Sequence, residues 1–73
     1  MSVERLRRVL WRLRSTKPGS DIFSNKTLER CIMMECGTDP KTYRNNRMAL
    51  KKLSWVLVKN RTHVRLSGKD LVE

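Results

Sequence analysis

Residues 39–55 read DPKTYRNNRMALKKLSW. Asp39 is a good helix N-cap. Pro40 suits the first helical position, where a missing N–H costs nothing. The stretch predicts a helix over 40–53. On a wheel, Tyr43, Asn46, Ala49, Leu50 and Leu53 gather on one side, which we take as the core face. Lys41, Arg44, Asn45, Met48 and Lys52 gather on the other, with Arg47 and Lys51 at the margins. After Asp39 the stretch has no acid and five basic residues. Its outer row has the chemistry that base edges accept. Arginine bonds bidentately to guanine, asparagine to adenine, and an apolar group meets the thymine methyl. Thr42 and the unpaired N–H groups at the helix start suit a phosphate.

Working upstream, Gly37 ends a preceding helix, and almost no linker separates it from Asp39. Two helices joined by so tight a glycine turn form a helix-turn-helix pattern. This second helix is expected over 24–36, with Ser24 as N-cap and Phe23 and Leu28 as a hydrophobic staple. Leu28, Cys31, Ile32 and Cys36 point inward, whereas Met33 and Met34 cannot both do so. Pro18 and Gly19 break the chain ahead of it. A first helix is expected over 2–15, with Ser2 as N-cap. Val3, Leu6, Leu10 and Leu13 make its apolar stripe and Val9 widens it. Trp11 falls off that stripe.

Downstream, WVLVKNRTHVRL over 55–66 reads as a β-hairpin. A two-residue loop at Asn60-Arg61 would pair Trp55 with Leu66, Leu57 with Val64, Val58 with His63 and Lys59 with Thr62. Trp55, Leu57, Val64 and Leu66 would then face the core, with Val56, Val58, His63 and Arg65 opposite. Arg61 is not ideal in so short a turn, which leaves a longer loop open. The tail SGKDLVE suits a short turn of helix.

With 73 residues the chain has room for one small domain, expected over 1–73, and a modest core. Its net charge of +10 and isoelectric point near 10.7 speak to partners rather than fold. The charge is not spread evenly. Residues 24–38 balance Lys26 and Arg30 against Glu29 and Glu35, while the first helix, the third helix and the hairpin are strongly basic. Nucleic acid is the partner this favours, ahead of an anionic membrane surface. The few aromatics mostly have core roles, which disfavours single-strand stacking. Cys31 and Cys36 fall about 140° apart around a helix, so they neither bridge nor share a metal. They suit a reducing compartment. The one histidine, His63, has no acidic partner nearby in sequence. We expect no enzyme, cofactor or metal, no small-molecule substrate, and a cytoplasmic, nucleoid-associated protein.

Helix, helix, tight turn, helix and hairpin, in that order, resemble a winged helix-turn-helix DNA-binding domain of the small bacterial, archaeal and viral regulator type. The resemblance covers nearly the whole chain. It is most specific in DPKTYRNNRMALKKLSWV, where Thr42, Tyr43, Leu50, Leu53, Trp55 and Val56 fit the entry and exit of the third helix. Ser54 stands where glycine is usual. The implied fold is α+β, three helices followed by a two-stranded wing. The implied function is sequence-specific binding of double-stranded DNA in transcriptional regulation. Lys41, Arg44, Asn45 and Met48 would face the bases. Thr42, Lys51, Lys52, Lys59, Asn60, Arg61 and Arg65 would serve the phosphates, with the 59–62 tip on flanking backbone or minor groove. Such regulators commonly dimerise, and Val9 with Trp11 is the candidate homodimer contact. A protein-docking module, or a replication or partition factor of a mobile element, is the alternative use of the same fold.

Overall fold

A computed structural model describes residues 3–72. The helices are α1 (Val3–Thr16), α2 (Asn25–Cys36), α3 (Pro40–Lys52) and a short α4 (Lys69–Val72). The strands are β1 (Ile22–Ser24), β2 (Val56–Val58) and β3 (His63–Leu66), forming an antiparallel sheet in the order β1-β3-β2. This is a small α+β fold with its core between the three longer helices and one face of the sheet.

Leu6, Val9, Leu10 and Leu13 bury the inner stripe of α1 against Leu28, Cys31 and Ile32 of α2, Leu50 of α3, and Phe23, Trp55, Val56, Val64 and Leu66. Val3, at the start of the expected stripe, is exposed instead. The proposed N-cap Ser2 lies outside the described residues. Ser24 caps α2, its hydroxyl accepting from the Thr27 N–H at 3.2 Å. Gly37 closes α2 at a positive φ of 113°, its N–H reaching the Met33 carbonyl. Asp39 takes the extended backbone of an N-cap, but its side chain makes no capping bond. Its carboxylate instead receives the Thr42 hydroxyl at 3.4 Å.

The exit of α3 turns on Ser54, which has a φ of 58°. Its N–H donates to the Lys51 carbonyl, and the Trp55 N–H to the Leu50 carbonyl. These are the paired bonds of a left-handed helix stop, accompanied by an apolar contact between the residues at its two ends. Leu50 and Trp55, both buried, supply the apolar residues at those ends. A serine thus performs the turn that glycine makes at least cost.

The expected hairpin register is corrected by one residue. Val56 pairs with Leu66, Leu57 with Arg65 and Val58 with Val64. The cause lies in the loop. A two-residue turn would require left-handed backbone at Asn60, and in its type I′ form at Arg61 as well, and neither residue adopts it. Four residues, 59–62, connect the strands instead. The Asn60 side-chain oxygen accepts from the N–H of Thr62 and of His63, both at 2.9 Å, and from the Thr62 hydroxyl at 3.1 Å. A shift of one residue turns a strand over. Val56 therefore enters the core in place of Leu57, which is half-buried. Trp55 is buried as expected, from a position just before the strand.

The sheet also has a strand that the hydrophobic pattern did not announce. Phe23 pairs with Val64, flanked by Ile22 with Arg65 and Ser24 with His63. The hairpin is thereby joined to the segment ahead of α2. The outward backbone groups of Ile22 are occupied by the Ser20 hydroxyl, which blunts this edge.

Candidate nucleic-acid interface

Helix α3 separates its two adjacent amides. Asn46 is buried and donates to the Thr42 carbonyl at 2.7 Å, while Asn45 is exposed. Leu50 is fully buried, and Tyr43, Ala49 and Leu53 pack against the core. The opposite side exposes Lys41, Arg44, Asn45, Met48 and Lys52, with Lys51 beside them. Met48 is 58% exposed, a large apolar side chain set among cations and an amide. Among the described residues, Lys41, Arg44, Asn45, Lys51 and Lys52 have no side-chain hydrogen bond or ion pair, so their polar groups remain available.

The loop supplies a second cationic element. Lys59, Asn60 and Arg61 are exposed, as is Arg65 on β3. Asn60 is less free than its exposure suggests, because its oxygen organises the loop. Thr42 is likewise half-buried with its hydroxyl directed to Asp39. Of the seven expected phosphate contacts, these two therefore have internal hydrogen-bond roles.

Two further residues join the loop to the helices. The Asn25 side-chain amide donates to the Arg61 carbonyl at 2.8 Å, and the Asn25 backbone N–H donates to the Thr62 carbonyl at 2.8 Å. Arg47 donates to the Tyr43 hydroxyl at 2.8 Å and to the Asn25 side-chain oxygen at 3.4 Å. The first residue of α2, the middle of α3 and the hairpin tip therefore meet at one point. Sequence reasoning left Arg47 at the margin of its helix and did not single out Asn25. No local pattern signals a contact across 36 positions of chain.

The basic residues of α1 are used differently. Arg14 grips the carboxylate of Asp70 through two bonds of 2.6 and 2.8 Å. Asp70 is 2% exposed, and its bond to Arg14 pushes that guanidinium further above its ordinary pKa. Arg7 donates to the Asp70 backbone carbonyl and lies 5.1 Å from the centre of the Trp55 ring. Arg12 pairs with Glu35 at 2.7 Å. Between Arg7 and Arg14 on the same side of the helix, Trp11 is 62% exposed. Val9 is fully buried in the core, so the pairing of Val9 with Trp11 as one contact surface is corrected: Val9 packs within its own chain.

Cys31 and Cys36 are free thiols, both pushed up in pKa mainly by burial, which disfavours the reactive thiolate. Among the described residues no helix is long and apolar enough to cross a membrane. No protein-family model matches the chain, and neither a curated protein nor a solved structure shows significant similarity to it.

Proposed function

We propose that this chain is a winged helix-turn-helix protein that binds double-stranded DNA sequence-specifically and acts in transcriptional regulation in the cytoplasm. Helix α3 enters the major groove. Lys41, Arg44, Asn45 and Met48 meet base edges, and Lys51 and Lys52 meet the backbone. Lys59 and Arg61 at the loop and Arg65 behind it contact flanking phosphates or the minor groove. The observation that carries the reading is the exposed row of α3: cations, an amide and a thioether on one side, without side-chain partners among the described residues, beside a cationic loop tied to the same helix. Solvation alone accounts for lysines on such a row. It does not account for an asparagine and a methionine interleaved with them.

Binding of this kind releases condensed counterions. If about six phosphates are neutralised, log K against log salt falls with a slope of roughly −5. Fluorescence anisotropy on a duplex at several salt concentrations measures that slope, and selection from a random duplex library reads the base preference. A slope near zero defeats the proposal. It would favour the second reading, a protein-docking module, whose supporting observation is the exposure of Trp11. The same tryptophan is the candidate homodimer contact, and a two-fold symmetric selected site would support that assembly.

A further inference from the structure

Asn25 is a poor helix former placed at the first position of α2. The N-cap role there belongs to Ser24, whose hydroxyl already satisfies the Thr27 N–H. Asn25 directs both ends of its side chain to distant partners: the Arg61 carbonyl at 2.8 Å and the Arg47 guanidinium at 3.4 Å. Residues 59–62 of the loop are all exposed, so no apolar anchor holds the tip. Among the described residues, what ties that tip to the helices is Asn25, through its side chain to Arg61 and its backbone N–H to Thr62.

We propose that Asn25 is a positioning residue of the DNA interface. It sets the spacing and orientation of the Arg61 loop relative to the exposed row of α3, so that one duplex meets both at once. Asn25 acts through Arg61 and Arg47 and itself needs no contact with DNA. The gain is preorganisation: a loop already held in place loses less conformational freedom when it docks. The proposal rests on the duplex-binding reading above and adds the residue that makes two basic elements into one surface.

The test is a double-mutant cycle on duplex affinity, read by fluorescence anisotropy at fixed salt, with wild type, Asn25→Ala, Arg61→Ala and the double variant. Asn25→Ala is expected to weaken binding roughly tenfold, the scale of re-ordering a short loop segment on docking. The retained backbone bond to Thr62 keeps the loss from being larger. Because Asn25 works through the loop, the double variant should bind little worse than the weaker single variant. Asn25→Ala combined with Arg44→Ala should instead multiply the two losses. In the free protein, NMR relaxation should show the 59–62 amides falling from rigid order parameters of about 0.85 toward about 0.6, with α1 unchanged. General destabilisation would not confine itself to the loop.

If wild type binds duplex and Asn25→Ala binds equally well, the positioning role is overturned while the duplex reading stands. The positioning role falls equally if the Asn25 and Arg61 losses multiply in full, or if loop order is unchanged. A wild-type chain that binds no duplex overturns the parent reading and this proposal together.

Discussion

Helices α1 and α3 each carry five basic residues, yet their fates are opposite. On α1, Arg7 and Arg14 hold Asp70, and Arg12 holds Glu35, so three of its five arginines have partners among the described residues. On α3, Arg47 alone is engaged in this way among the described residues, and Lys41, Arg44, Lys51 and Lys52 are left outward. Charge summed along a segment therefore overstates what α1 offers a partner. The difference arises from neighbours. Glu35 on α2 and Asp70 on α4 come within reach of α1, whereas among the described residues no lysine or arginine of α3 forms an ion pair. Similar charge makes a brace in one helix and an accessible surface in the other.

This contrast is exposed to experiment at several scales. The inner rows should be equivalent: Leu10→Ala and Leu50→Ala remove fully buried side chains and should each cost about 2–5 kcal/mol of stability in urea unfolding. A much smaller loss from Leu50→Ala would mean that α3 is not seated as described. The brace comes next. Asp70→Ala strands the Arg14 guanidinium, while the Arg7 bond to the backbone carbonyl is retained, and should cost about 2–3 kcal/mol, discounted because Arg14 keeps some access to water. At temperatures where the variant stays folded, its salt slope on duplex DNA should match wild type. A changed slope would place α4 in the interface.

The outer row of α3 should behave inversely. Arg44→Ala and Asn45→Ala should leave the thermal midpoint nearly unmoved and weaken binding by about 1–3 kcal/mol each, with relaxed base preference. Arg61→Ala should weaken all sequences alike. If Arg44→Ala spared both affinity and selectivity, the groove assignment would fall. The smallest effect is expected at Arg12, 45% exposed in its pair with Glu35. Arg12→Ala should change stability by less than about 1 kcal/mol and leave DNA affinity near wild type, because screened surface pairs contribute little. A large binding loss there would erase the distinction between the two helices.

Much of the architecture was legible because its signals are local. The Pro40 entry, the Ser24 cap, the Gly37 stop and the alternating core positions of α1 and α3 each depend on residues within a turn or two. The outer row of α3 was legible for the same reason, since helical spacing alone gathers Lys41, Arg44, Asn45 and Met48. The hairpin register was not. It depended on whether Asn60 and Arg61 would accept left-handed backbone or let the Asn60 side chain build a wider loop. Strand β1 was hidden because three residues beside a helix cap carry too little periodicity to declare themselves. Val9 and Trp11 were grouped as one surface, although two residues along a helix point about 200° apart.

What the sequence determined by itself is the set of helices, most of the residues they bury, and the chemistry of the row that α3 turns outward. These follow from backbone geometry acting on neighbours in the chain. Tertiary structure alone decided which cations remain available, how the hairpin is seated, and that Asn25 joins the loop to two helices. Those outcomes depend on pairings between distant residues, such as Arg14 with Asp70 and Asn25 with Arg61, which no local pattern encodes.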